Sequence, residues 1–176
     1  MGRDKLQRQA WTDFVERGQN AQAAVDRLTR PTAIQFIVDC APASQGSMRG
    51  ISILAADGSP RTVFKSDNPR THPYRRAVGY AALNARAAAG VHEIFAGHDV
   101  PVRVAVTFVL KRPKYAPASR SRPVCKPDLD KLTRATMDAL TGVLYVDDCQ
   151  VVDDEHHKIY GSPECVHIRV EIVEEG

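Results

Sequence analysis

Two carboxylates spaced two residues apart at the head of a helix, followed downstream by an acid pair, are the residues of this chain best suited to chemistry. They lie in Lys126-Pro127-Asp128-Leu129-Asp130-Lys131, which runs on to Asp138-Ala139-Leu140, and in Val146-Asp147-Asp148-Cys149-Gln150-Val151. Asp148 follows Asp130 by eighteen residues. A helix and a short apolar stretch fill that interval, and the acids are expected to converge on one point at the end of a sheet. Carboxylates gathered there repel unless a hard divalent cation such as Mg²⁺ neutralises them, and Mg²⁺ keeps several of its own waters when it does. Waters and open positions of that kind are what hydrolysis of a phosphodiester requires.

Taken alone, the same segment is an amphipathic helix with solvated charges. On a 100° wheel Leu129, Leu132, Ala135, Thr136, Ala139, Leu140 and Val143 share a packing face. Asp130, Arg134 and Asp138 recur at four-residue intervals on the other side, where they can pair with one another. Asp128 is placed to cap the first turn. The surrounding charge favours chemistry. Six basic residues and no acid lie between Lys111 and Pro127, whereas Asp147 to Glu155 holds five acids and no base. A basic loop running into an acidic region suits phosphate contact, so Lys111, Arg112, Lys114, Arg120, Arg122, Lys126 and Lys131 are the candidate DNA-binding residues. Ser44, Ser47, Arg49 and Lys65 are further candidates for DNA contact. His156 and His157 are adjacent on a strand, where neighbours point to opposite faces, so they are not expected to share a metal.

These residues need elements to hold them. Leu6, Ala10 and Phe14, then Ala21, Ala24, Val25 and Leu28, predict a helical N-terminal extension over residues 1–30. Alternation predicts strands at Ile34–Val38, Gly50–Ala55 and Arg61–Lys65, the last two joined through the turn Asp57-Gly58. A helix over Pro69–Ala89 stops at Gly90. Val102 to Leu110 is a strand with apolar residues at period two, and strands at Gln150–Tyr160 and Val166–Ile172 follow the helix over Asp128–Thr141. The order of elements predicts one α+β domain over residues 31–176, in two layers, with helices packed on one face of a mixed sheet.

The stretch from 126 to 152 resembles the RusA family of Holliday junction resolvases, whose pattern is a D-x-D-N-L-x-K-x-x-x-D-A-L helix followed by D-D-x-Q-V. Asp128, Asp130, Leu132, Asp138, Ala139 and Leu140 match the first part, and Asp147, Asp148, Gln150 and Val151 the second. Outside that stretch the likeness rests on the order of elements from about 33 to 110. The resemblance implies a RusA-like fold and a homodimeric endonuclease that cuts four-way DNA junctions in recombination and repair. It further implies that Asp128, Asp130 and Asp148 are catalytic and bind the metal, Mg²⁺ with Mn²⁺ as the alternative, while Asp147 serves the turn. Two positions depart from the pattern: Lys131 stands for Asn, and Arg134 for a functional Lys. A guanidinium stays protonated, so Arg134 as a catalytic residue can stabilise charge on a phosphate but cannot exchange a proton.

Length and composition leave these expectations standing. A chain of 176 residues with 43% hydrophobic and 26% charged residues is sized for one cored domain. No apolar run approaches a membrane span, and the N-terminus lacks a secretory apolar region, which predicts a cytoplasmic protein without a membrane partner. Four cysteines without a C-x-x-C pair point to reduced thiols. Two other classes compete: a non-catalytic nucleic-acid-binding protein that retains the fold, which clustered carboxylates would not help, and a phosphoesterase of small nucleotides, for which a Gly-rich phosphate cradle is lacking.

Overall fold

The structure is a computed structural model and describes residues 31–66 and 68–174. The helical extension expected over residues 1–30 lies outside the described residues. The elements are β1 (Ala33–Val38), β2 (Met48–Leu54), β3 (Pro60–Ser66), α1 (Thr71–Ala88), β4 (Val102–Leu110), α2 (Leu129–Leu140), a 3-10 turn (Asp148–Gln150), β5 (Val151–Tyr160) and β6 (Cys165–Ile172). Four strands form a mixed sheet in the order β1-β6-β4-β5. The β1/β6 and β6/β4 pairs are antiparallel and β4/β5 is parallel, which leaves β5 as an edge paired on one side only among the described residues.

Alternation decides which face is covered. Ile34 and Val38 of β1, Val166, Ile168 and Val170 of β6, and Val102, Val104, Val106 and Phe108 of β4 are buried on one side of the sheet. Tyr74, Val78 and Ala82 of α1 and Leu132, Ala135, Ala139 and Leu140 of α2 close that layer. Gln35, Arg103, His167 and Arg169 on the opposite face are exposed. The expected two-layer α+β architecture is therefore present, with both described helices on one face.

One expectation changes: β2 and β3 form a separate two-stranded sheet rather than joining the main one. Ile51 pairs with Val63, and both are exposed; among the described residues no layer covers the hairpin. Its turn follows the sequence, with Gly58 at φ 77 and the Asp57 carboxylate accepting from the backbone N–H of Ser59 at 2.9 Å. Gly90 ends α1 at φ 74, a conformation that costs a residue without Cβ little.

The two helices are stitched together in the core. The Tyr74 hydroxyl lies 2.6 Å from Thr136 Oγ1, while Thr136 Oγ1 also donates to the Leu132 carbonyl at 3.0 Å. Since the Thr136 proton is used within α2, Tyr74 is the donor between the helices. Burial pushes its phenol pKa up, which keeps that proton in place.

Candidate active-site groove

The chain leaves β4 through the basic loop and returns as α2, so α2 runs back against the parallel strands β4 and β5. Its start lies by the C-terminal end of β5, where Lys158 Nζ donates to the carbonyls of Cys125 at 3.1 Å and Pro127 at 2.9 Å. Its end lies by the start of β5, where Tyr145 reaches back from the following turn to the Met137 carbonyl at 3.2 Å. Asp128 and Asp148 consequently sit at opposite ends of a twelve-residue helix, about 18 Å long at 1.5 Å per residue. The expected convergence of the acids is therefore only partial within one chain: Asp130 and Asp148 line one groove, whereas Asp128 opens onto another cleft. Among the described residues no group of three or more His, Cys, Asp or Glu is close enough to hold a metal ion.

What the fold does assemble is a groove of about 650 Å³ between α2 and β5, lined by Asp130, Arg134 and Asp138 from the helix and by Asp148, Asp154 and His156 from the other wall. Asp128 opens onto a second cleft, of about 490 Å³, with Lys126, Lys131, Arg70 and the loop Ala41–Ser47. That loop is pinned from two sides. Gln45 N–H donates to the Lys131 carbonyl at 2.9 Å, and Ser44 offers its carbonyl to Asn68 at 2.7 Å and to Thr71 at 2.9 Å. Asp128 holds the N-cap position with extended backbone but its side chain makes no cap hydrogen bond. It stands 4.0 Å from Lys131, so its carboxylate remains open to a ligand.

Asp138 does not pair with Arg134 as the four-residue spacing suggests; Arg75 of α1 takes it at 3.3 Å. Among the described residues no ion pair holds Arg134, Asp130 or Asp148, and all three are exposed. Asp147 is the turn residue expected of it. Its carboxylate accepts from Cys149 N–H at 3.0 Å, and this hydrogen bond lowers its pKa. Gln150 completes a capping box. Its side-chain oxygen accepts from Val146 and Asp147 N–H at 2.8 and 3.0 Å. Its amide donates to the Gly97 and Val100 carbonyls at 2.6 and 2.9 Å. All four groups of this buried amide are therefore used to fix the turn that presents Asp148, a positioning role the sequence motif does not reveal by itself.

The basic loop contains its own scaffold. Arg112 donates to the carbonyls of Pro117 at 3.0 Å and Arg120 at 2.6 Å and lies 4.6 Å over the Tyr160 ring, so part of its charge orders the loop. Lys111, Lys114, Arg122 and Lys126 are exposed and Arg120 is half-buried. Glu164 accepts from Lys111 N–H at 3.3 Å, an acid beside the loop that spacing does not anticipate. His156 and His157 do point apart, as expected. His157 pairs with Glu155 at 2.9 Å and His156 with Asp154 at 3.0 Å.

The groove-side face of β5 depends on an irregularity in its pairing. Val102 opposes Val151, but Arg103 opposes Asp153, so Val152 is an extra residue that reverses the alternation. Asp154, His156 and Lys158 then oppose Val104, Val106 and Phe108, which are buried beneath the helices, and so share their side of the sheet. The sequence signals the strand but not the bulge, so spacing alone does not place Asp154, His156 and Lys158 on the groove side.

The chemistry of the groove fits a hard cation in part: its donors are carboxylate oxygens, and Mg²⁺ is commonly held by one or two of them with waters completing its shell. Comparison with known proteins agrees with this composition. A family model described as endodeoxyribonuclease RusA matches residues 55–172, more than half of the chain. A protein of Bacillus subtilis (strain 168) described as uncharacterized protein YqaN is 33% identical over 70 residues, 40% of this chain and 49% of the relative. The chain thus spans about half the length of the curated relative it matches.

Proposed function

Because the chain belongs to the RusA endodeoxyribonuclease family, we propose that it is a divalent-metal-dependent nuclease that resolves four-way DNA junctions by paired nicks, in recombination and repair. The observation that carries this reading is the pairing of two clefts along α2: one with Asp130, Arg134 and Asp148, the other with Asp128, Lys126 and Lys131. Asp128, Asp130 and Asp148 would hold the cation, with Mg²⁺ favoured by the all-oxygen donors and Mn²⁺ the alternative. When bound, such an ion supplies Lewis acidity toward a phosphodiester and lowers the pKa of water. Arg134, permanently charged and without an ion pair among the described residues, stabilises the negative charge that grows on the phosphate. Lys126, Lys131 and the basic loop, with Lys111, Arg112, Lys114, Arg120 and Arg122, hold the flanking backbone by phosphate contacts that position the DNA without reading its sequence.

A homodimer matches a two-fold substrate, and it answers the separation of the acids. Two copies laid antiparallel along the groove would bring the start of α2 in one beside the Asp148 turn of the other. Among the described residues no helix is long and apolar enough to cross a membrane, and we place the protein in the cytoplasm with its DNA. The test is incubation with a synthetic four-way junction, a linear duplex and a free nucleotide, each with and without Mg²⁺. The nuclease reading requires junction cleavage that depends on the metal. Junction binding without cleavage would favour a non-catalytic DNA-binding protein.

A further inference from the structure

Arg134 leaves a gap in the groove, since hydrolysis must dispose of a proton and a guanidinium cannot accept one. The opposite wall holds a group that can. His156 is 9% exposed in its side chain and its Nδ1 lies 3.0 Å from Asp154 Oδ2. Because the carboxylate can only accept, the proton of a neutral ring sits on Nδ1, leaving a lone pair on Nε2. That Nε2 is buried and has no hydrogen-bond partner among the described residues, and His156 lines the same groove as Asp130, Arg134 and Asp148. An unsatisfied buried acceptor is unfavourable and calls for a use.

We propose that His156 is a catalytic residue of this groove, accepting through Nε2 the proton of the water that attacks the phosphodiester, with Asp154 as the positioning residue that orients the ring. The inference rests on the nuclease reading above. As the water oxygen bonds to phosphorus, its proton passes to Nε2 and the bond from phosphorus to the sugar oxygen breaks. The departing oxygen takes a proton from solvent, and the imidazolium, paired with Asp154, returns its own to solvent. Burial lowers the pKa of His156 against the opposing pull of Asp154, so the ring is held in the neutral form this step needs. Catalytic hydrogen bonds are commonly incomplete before substrate arrives, in keeping with an Nε2 still closed off by the groove wall. The arrangement is that of an acid-oriented imidazole, in which the carboxylate fixes the tautomer and steadies the charged ring.

The experiment is single-turnover cleavage of a four-way junction at saturating protein by the parent, His156→Gln, His156→Ala and Asp154→Asn, with junction affinity measured in parallel. The expected result is a loss of about 10²-fold or more in rate for both His156 variants, a smaller loss for Asp154→Asn, and unchanged affinity. Added imidazole should restore the His156→Ala rate in proportion to its neutral form, which no purely structural role would produce. Side-chain ¹⁵N spectra of the parent without DNA or metal should show His156 protonated at Nδ1 and bare at Nε2. Cleavage by His156→Gln within about threefold of the parent, or a loss that imidazole does not relieve, overturns the assignment to His156. A parent that cuts no branched DNA instead removes the nuclease reading on which the assignment depends, and the spectra then report the tautomer alone.

Discussion

At the scale of single residues, the proposed metal and phosphate chemistry rests on three carboxylates and one guanidinium. Replacing Asp128, Asp130 or Asp148 by Asn should reduce cleavage to background while junction binding persists or tightens, since a lost negative charge does not hinder phosphate contact. Gel-shift and cleavage assays on the same preparations separate the two effects. Asp147→Asn should lose far less, because asparagine is as good a cap as aspartate and the Gln150 clamp remains. Equal collapse of the Asp147 and Asp148 variants would remove the distinction between turn and ligand. Arg134 is tested by a pair of changes. If it acts by charge alone, Arg134→Lys keeps substantial activity, whereas Arg134→Ala loses about 10² to 10³ in rate, the scale seen when a preorganised stabiliser of the transition state is removed. An alanine variant that cleaves at the parental rate would return Arg134 to an ordinary exposed helix position.

At the scale of elements, local pattern was readable wherever a face was buried. Val102 to Leu110 alternates because every second residue meets the helices, and Gly90 stops α1 because that site needs φ above zero; both follow from residue type. The grouping of the site was not readable in the same way. Spacing put Asp128, Asp130 and Asp148 in one motif, but the direction of α2 against β5 is a tertiary property, and it sets Asp128 and Asp148 a helix length apart. The partner Arg75 for Asp138 also arises from packing between elements, which no four-residue rule encodes. Helix against helix, the Tyr74 hydroxyl is the polar contact to test. Tyr74→Phe removes its bond to Thr136 but leaves Thr136 its Leu132 carbonyl, so the cost should be about 1 kcal/mol, read from denaturant unfolding at unchanged m. A neutral substitution would mean that the α1/α2 contact is held by apolar packing alone.

For the whole molecule the question is how many copies make one site. Light scattering should return twice the chain mass at working concentration. A mixture of two inactive variants gives a sharper answer. If each site draws Asp128 from one copy and Asp148 from the other, then co-refolded Asp128→Asn and Asp148→Asn chains form a heterodimer with one intact site and one doubly broken site. That heterodimer should nick a single strand of the junction. If each site lies within one chain, the mixture stays inactive, and the groove must close by rearrangement of α2 instead. The edge of β5, unpaired among the described residues, carries a different consequence. A long strand with one unpaired edge is a template on which other chains can grow into aggregates. Here that edge bears Asp153, Asp154, Glu155, His156, His157 and Lys158 in unbroken succession, and Val152 kinks its beginning. Charges that shape the groove therefore also discourage sheet-to-sheet growth, so exchanging them for β-branched neutral residues should cost solubility as well as catalysis.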